Sequence, residues 1–200
     1  MVLTGSMCRM FAFIGSDRDF FKPIYEALFE VSQDDYPLSE CISKSFLNHR
    51  DGWGLVEYGS EGIRHERFSS AIFMTPVPEL KGYFIVIHAR NAEKGQPFGM
   101  LNAHPYMRAS EEYDLHLAHT GETDKARIQH GLSAKEFENG ADSEVFLDLM
   151  SSFKGSVQAF FEKSRREVYE NNALVLDSTF SSFQLTEMII PKVADLQLRC

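Results

Sequence analysis

The chain has 200 residues and is acidic, with 29 Asp and Glu against 20 Lys and Arg, which gives a formal net charge of −9. This length favours one domain with a substantial core, and this charge disfavours a nucleic-acid partner, because phosphate binding needs a basic face. No apolar run approaches the ~20 residues of a membrane-spanning helix, and residues 1–6 lack the pattern of a secretory signal.

Residue patterns predict secondary structure along most of the chain. The predicted strands are 11–14, 53–58, 63–68, 83–87, 114–119, 173–176 and 182–190. The predicted helices are 19–31, 40–48 with Ser39 as its cap, 142–153 and 156–169. Strands 53–58 and 63–68 should form a hairpin. Because hairpins replace regular strand–helix–strand units, the order predicts an α+β fold built on antiparallel sheets.

Two elements carry specific expectations about burial. Segment 83–87 is apolar on both faces, so other layers should cover its sheet on each side. The helix at 19–31 should bury one apolar face. That face consists of Phe20, Ile24, Leu28 and Val31.

The three cysteines are irregularly spaced and do not indicate a disulfide framework, which favours a reducing cytoplasm. The chain has no HExxH, no paired CxxC and no glycine-rich phosphate loop, so we expect neither a metal nor a cofactor. His116 and His119 lie three apart on a predicted strand and should face opposite sides.

Cys8 is the candidate nucleophile. A thiol attacks as its thiolate, so it needs a nearby base or a depressed pKa. A chain that began at Cys8 would offer its own α-amine, whose ordinary pKa of ~8 leaves a good fraction neutral at physiological pH. Taken alone, however, a cysteine beside an apolar strand is more simply interpreted as a small packing residue.

Arg90 and Asp142 each have a structural and a functional interpretation. Arg90 follows the most apolar strand, where its guanidinium could pair with a substrate carboxylate or with a carboxylate of the protein. Asp142 precedes a predicted helix, where it would serve as the N-cap, with Ser143 or Glu144 helping in the first turn.

The motifs occur in an order that resembles the class II glutamine amidotransferase domain. The segments that carry the resemblance are Met7-Cys8-Arg9, His49-Arg50-Asp51-Gly52-Trp53-Gly54, His88-Ala89-Arg90, Asn102-Ala103-His104-Pro105, His119-Thr120-Gly121 and Asp142-Ser143-Glu144. They run from Cys8 to about residue 153. The resemblance implies a four-layer αββα sandwich of two antiparallel sheets, as in N-terminal-nucleophile hydrolases. It also implies a single domain over 8–200, in the small stand-alone form.

The resemblance assigns roles to several of these residues. It makes Cys8 the nucleophile, with its own α-amine as the base. Arg90 would bind the α-carboxylate of glutamine, and Asp142 would bind its α-amine. Three further residues would support the site. These are Arg9, Asn102 and His104. Trp53 is expected to lie in the core.

Two positions depart from the family pattern. The family forms its oxyanion hole from an asparagine side chain and a glycine N–H, and here Thr120 precedes Gly121. Removing one oxyanion donor costs ~3–4 kcal/mol of transition-state stabilisation. Glu93 stands where the family usually has threonine or serine, and its carboxylate could attract a substrate ammonium or repel a carboxylate.

Residues 1–7 decide whether Cys8 has a free amine. We expect them to be a leader that is removed or that results from a misassigned start, with Met7 as the true initiator. A permanent block of the amine is the alternative.

Three hypotheses about function follow. The first is hydrolysis of glutamine or of a γ-glutamyl amide, with ammonia passing to a separate synthase protein. The second is an impaired domain that binds glutamine or a protein partner. The third is an N-terminal-nucleophile amidase that acts on another amide. The sequence leaves the oligomeric state open.

Overall fold

The computed structural model describes residues 8–36, 39, 47–76, 78–92, 95–109, 113–120, 141–155, 159, 162–163 and 185–191. The strands are β1 (Arg9–Ile14), β2 (Trp53–Gly59), β3 (Gly62–Phe68), β4 (Phe84–Ala89), β5 (Tyr106–Ala109), β6 (Tyr113–His119) and β7 (Leu185–Pro191). The helices are α1 (Arg18–Gln33) and α2 (Asp142–Ser151), with short 3₁₀ turns at Ile72–Met74 and Met100–Asn102. Within these ranges, no helix is long and apolar enough to cross a membrane.

The strands form two antiparallel sheets. Sheet one has the order β1-β4-β2-β3, and sheet two has the order β5-β6-β7. The β1–β4 ladder runs from the Arg9–Ala89 pair to the Ile14–Phe84 pair. The predicted hairpin is confirmed, because β2 pairs with β3 from Trp53–Phe68 onward. The expectation of an α+β fold with two antiparallel sheets is therefore confirmed.

The helices cover the outer faces of the two sheets. Asp17 caps α1 by accepting hydrogen bonds from the N–H groups of Asp19 and Phe20, at 3.0 and 3.1 Å. One face of α1 packs on sheet one, and α2 packs on β5 and β6. The described elements thus stack as helix, sheet, sheet and helix, which is the expected four-layer order.

The buried face of α1 differs from the predicted one. Phe21, Tyr25 and Leu28 are buried against sheet one, whereas Phe20 is 63% exposed. Both aromatic residues fit a helical repeat that includes Leu28. The buried face of the helix is rotated about the helix axis so that it includes Phe21 instead of Phe20. The Phe21 ring contacts the rings of Phe11 and Phe13 on β1.

β4 is buried on both faces, as its continuous apolar sequence predicts. Ile85 and Ile87 belong to the core between sheet one and α1. Val86 packs with Ala118 of β6 in a second cluster between the sheets. Sheet one is therefore covered on each side, which confirms the interpretation of segment 83–87.

The segment before β2 combines a tight turn with close packing. Gly52 has φ +112°, in the left-handed region that favours glycine. A Cβ on Gly54 would overlap the carbonyl oxygen of His104, which lies just before β5. Trp53 is fully buried and stacks on Phe68 with a centroid separation of 4.4 Å, so its predicted core position is confirmed.

Several predicted bounds differ from the structure. Most of the predicted helix 40–48 lies outside the described residues, and Leu47 and Asn48 at its end are irregular. The predicted strand 173–176 and most of the predicted helix 156–169 also lie outside them. β5 was not predicted, because its four residues Tyr106–Ala109 show no clear alternation.

Candidate active site

Three strand ends meet at Cys8. The residue immediately precedes β1, and its backbone N–H donates a hydrogen bond to Thr120 Oγ1, which follows β6, at 3.2 Å. Its free thiol lies 3.8 Å from the carbonyl oxygen of Asn91, just beyond the end of β4. The nitrogen and sulfur of Cys8 are thus held by two different strands from two different sheets.

Charged side chains surround the thiol. Burial raises the pKa of Cys8, Arg90 opposes this rise, and the carboxylates of Asp142 and Asp51 add to it. The raised pKa keeps sulfur protonated at neutral pH. Attack by Cys8 would therefore need a base to remove the proton during the reaction.

Arg90 is a buried cation beside Cys8. Its side chain is 5% exposed, and Nη2 donates to the carbonyl oxygen of Pro97 at 3.0 Å. Its buried Nε finds no acceptor among the described residues. A buried donor without an acceptor costs roughly 1–3 kcal/mol, so a ligand carboxylate would offset this cost.

Asp51 fixes the backbone that carries Asn91. Its Oδ2 accepts a hydrogen bond from the N–H of Ala92 at 2.8 Å, and its own N–H donates to the carbonyl of Arg90 at 3.1 Å. No individual role was assigned to Asp51 from the sequence, although it lies in a segment that carries the family resemblance. Its carboxylate supports the candidate site through the hydrogen bond from Ala92.

Asp142 is the first residue of α2 rather than its cap. The N-cap is Ala141, whose side chain makes no capping hydrogen bond. The expectation that Asp142 is the N-cap is therefore wrong. Its carboxylate instead lies close enough to Cys8 to raise the thiol pKa, and its Oδ1 is 3.5 Å from Ser143 Oγ.

His119 ties together the three elements that carry Arg90, Thr120 and Asp142. His88 on β4 donates from Nε2 to the His119 carbonyl oxygen at 3.1 Å, because a carbonyl can only accept. His119 Nδ1 in turn lies 2.8 Å from Ser143 Oγ on α2. The positions of the surrounding site residues are therefore coupled through buried hydrogen bonds.

The residue after Cys8 is held by a partly buried ion cluster. Arg9 binds Asp35 in a bidentate way, with Nε–Oδ2 and Nη2–Oδ1 distances of 2.6 and 2.8 Å. His49 Nε2 lies 2.7 Å from the same Oδ2, and the side chains of His49 and Asp35 are both fully buried. Arg9 was expected to support the site. Its partner Asp35 was not identified from the sequence.

Replacing Asp35 by asparagine should strongly destabilise the protein. The substitution keeps the shape but leaves the Arg9 guanidinium without its anionic partner. Asp35 is fully buried but the Arg9 side chain is 33% exposed, so the loss should lie below the ~3–5 kcal/mol of a fully buried ion pair. Urea unfolding of D35N and of the exposed control D19N should show this loss only in D35N. A loss in D35N below about 1 kcal/mol would contradict a stabilising role for the cluster.

The remaining predicted site residues fall into two groups. Asn102 and His104 are structural neighbours of the site. Asn102 donates from Nδ2 to the Phe98 carbonyl at 3.3 Å, and the buried His104 ring lies 4.4 Å from the His88 ring. Glu93 and Gly121 lie outside the described residues. Within the described part of the chain, no three His, Cys, Asp or Glu side chains converge to form a metal site.

Solved structures show the same fold. The chain matches the allosteric regulatory enzyme of purine biosynthesis with a TM-score of 0.52 and 17% identity, over 94% of this chain and 35% of that one. It also matches the glutamine phosphoribosylpyrophosphate amidotransferase of B. subtilis, complexed with ADP and GMP, with a TM-score of 0.52 and 17% identity. That match covers 80% of this chain and 32% of the other. At this identity the likeness shows the fold alone.

Sequence comparisons give the family. YafJ of Escherichia coli (strain K12), which carries the name of a glutamine amidotransferase, is 30% identical over 80 residues. That alignment covers 37% of this chain and 31% of YafJ. The chain thus spans about a third of the length of YafJ and of the two solved structures above. The family model described as "Glutamine amidotransferases class-II" matches residues 41–176, which is more than half of the chain. The chain therefore belongs to the class II glutamine amidotransferases.

Proposed function

We propose that this protein hydrolyses the side-chain amide of glutamine with Cys8 as nucleophile and the α-amine of Cys8 as base. The observation that carries this proposal is the arrangement at Cys8. The charges of Arg90, Asp142 and Asp51 all act on the pKa of its thiol, while its nitrogen donates to the Thr120 hydroxyl. A protonated thiol in such a site needs an adjacent base, and the α-nitrogen of the same residue is the nearest candidate.

The reaction has two halves. In the first, the α-amine takes the thiol proton as sulfur attacks the amide carbon, and it returns that proton to the leaving ammonia. This leaves a thioester between Cys8 and the glutamyl group. In the second half, the amine removes a proton from water, which attacks the thioester and releases glutamate.

Arg90 and Asp142 suit the amino-acid end of this substrate. The guanidinium of Arg90 has a buried Nε–H without an acceptor among the described residues, and it can bind the α-carboxylate. The carboxylate of Asp142 can bind the α-ammonium. Both charges affect the pKa of Cys8, which supports placing them within reach of one small ligand. Glu93 remains a further candidate for substrate binding.

The tetrahedral intermediate needs donors for its oxyanion. We assign this role to the N–H of Gly121, by family resemblance, and to the hydroxyl of Thr120. The Thr120 oxygen accepts from the Cys8 N–H, and a hydroxyl that accepts one hydrogen bond can also donate its own hydrogen. One oxygen can therefore contact both the base and the intermediate.

Ammonia released at this site would serve a separate synthase protein. We also propose a reducing compartment such as the cytoplasm, because the nucleophile is a thiol that must stay free. A domain that only binds glutamine remains the second candidate, since Thr120 replaces the family's asparagine.

The N-terminus provides the first test. Protein that begins at Cys8, with its mass verified, should release ammonia and glutamate from L-glutamine. Protein that retains residues 1–7 has an amide nitrogen at Cys8, which cannot act as a base. We expect its rate to be lower by about 10²-fold or more, the usual contribution of a general base.

Two outcomes would contradict the proposal. Equal rates from both forms would exclude the α-amine as the base. Absence of ammonia release from the verified Cys8 form, with glutamine binding retained, would favour the binding protein. D-Glutamine serves as the control substrate, because its reversed stereocentre cannot present both charged groups to Arg90 and Asp142 in the same way.

A further inference from the structure

We propose that Thr120 positions the α-amine of Cys8 for catalysis, by accepting a hydrogen bond from that nitrogen through its side-chain oxygen. This role rests on the proposed function. It is additional to the oxyanion contact that the proposed function assigns to the same hydroxyl, and the alkylation test below measures it separately from that contact.

The geometry supports an acceptor role for the hydroxyl. The Cys8 nitrogen and Thr120 Oγ1 are 3.2 Å apart, and in the described chain the nitrogen is the donor. An α-amine at the same place would keep N–H groups for this bond. With one N–H directed at Thr120, rotation about the Cα–N bond is restricted, and the nitrogen lone pair can be held toward sulfur.

Thr120 is itself held firmly. The preceding residue, His119, accepts a hydrogen bond at its carbonyl from His88 and contacts Ser143 through Nδ1, at 3.1 and 2.8 Å. Both histidines are at least 98% buried. The Thr120 backbone is thus anchored to β4 and α2, so the hydroxyl is a fixed acceptor rather than a freely moving surface group.

The hydrogen bond has a predictable effect on proton transfer. Once the amine has taken the thiol proton, it carries a positive charge, and hydrogen bonds to charged groups are the stronger ones. Thr120 therefore stabilises the pair of thiolate and ammonium. Without the hydroxyl, this pair should form less readily, and the apparent pKa for thiolate formation should rise.

The test uses alkylation of Cys8 by iodoacetamide as a function of pH, followed by mass spectrometry. In protein that begins at Cys8, T120V should raise the apparent pKa of alkylation by about one to two units, as expected for one lost hydrogen bond to a charged group. T120S keeps a hydroxyl and should resemble the wild type. In protein that retains residues 1–7, T120V should cause no shift, because an amide nitrogen does not take up the proton.

Turnover supplies a second readout. T120V should lower kcat for glutamine by about 10- to 100-fold, and T120S should stay within about threefold of the wild type. The proposal would be overturned if T120V left the apparent pKa of alkylation unchanged in protein that begins at Cys8. It would also be overturned if T120V shifted this pKa equally in protein that retains residues 1–7. Alkylation does not depend on glutamine turnover. A protein that fails to hydrolyse glutamine would therefore refute the proposed function while leaving the assignment of Thr120 open to this same measurement.

Discussion

Replacing Cys8 by alanine, in protein that begins at this residue, should abolish release of ammonia from glutamine. The variant keeps the α-amine and removes only the sulfur, so it isolates the nucleophile from the base. Loss of a covalent nucleophile in a hydrolase lowers kcat by ~10⁶-fold, and we expect a loss of at least about 10⁴-fold here. The measurement is a coupled ammonia assay with the N-terminal mass confirmed for both proteins.

Binding should survive this substitution. Arg90 and Asp142 are unchanged in C8A, so calorimetry should give a glutamine Kd within about threefold of the value for an inactive thiol-blocked wild type. The matched controls are alanine variants of the other two cysteines, Cys41 and Cys200. Full activity in both controls together with more than a tenth of the wild-type rate in C8A would exclude Cys8 as nucleophile.

Acid should unfold the protein well above the pH at which ordinary carboxylates are protonated. Five histidines lie in the layered interior of the fold, with His119 facing α2 rather than sheet one, and we call them the histidine layer. They are His65, His88, His104, His116 and His119. Burial lowers the pKa of every one of them. It lowers the pKa of His88 to about 3 and that of His116 to about 4.

The sign of the effect follows from these shifts. Above pH ~6.5, the histidines are neutral in both states, and their contribution to stability is complete. Below that pH, the unfolded chain binds protons that the folded protein does not bind. The free energy of unfolding therefore falls until the pH reaches the pKa of each histidine in the folded protein. Between these two pKa values, each histidine lowers the free energy of unfolding by ~1.4 kcal/mol per pH unit. Two units below 6.5, His88 and His116 alone would remove ~5 kcal/mol, which is comparable to the whole stability of many domains.

Urea unfolding at several pH values measures this loss. Trp53, the single tryptophan, is fully buried and reports unfolding by fluorescence. The slope of unfolding free energy against pH gives the number of protons taken up, and below pH ~6 we expect at least about two. H116Q should reduce this number by about one. A free energy that stays constant from about pH 7.5 to about pH 5 would contradict the role of the histidine layer.

The strands were predictable because burial leaves a clear pattern in the sequence. β4 is apolar on both faces since α1 covers one side and sheet two covers the other. The helix α1 was also predictable, but its face was not. Phe20 and Phe21 are adjacent aromatic residues that both fit a repeat containing Leu28, and only the position of β1 selects Phe21. A sequence pattern therefore identifies a helix more surely than it identifies which face of that helix is buried.

The candidate site was predictable only in part. Family resemblance pointed to Cys8, Arg90, Thr120 and Asp142. In the described structure Cys8 donates to Thr120, and the charges of Arg90 and Asp142 act on the pKa of its thiol. The contacts that position them were not predictable. Asp35 lies 26 residues from Arg9 and 14 from His49, and no local pattern reveals such a pair. The contact of His88 with the carbonyl of His119 likewise joins two sheets whose packing follows from the whole fold.

The register of β1 has a consequence for maturation. The β1–β4 ladder begins at the Arg9–Ala89 pair, one residue after the nucleophile. Cleavage of the chain just before Cys8 therefore breaks none of the described strand pairs. Removal of residues 1–7, which the proposed function requires, is thus compatible with the described register of sheet one.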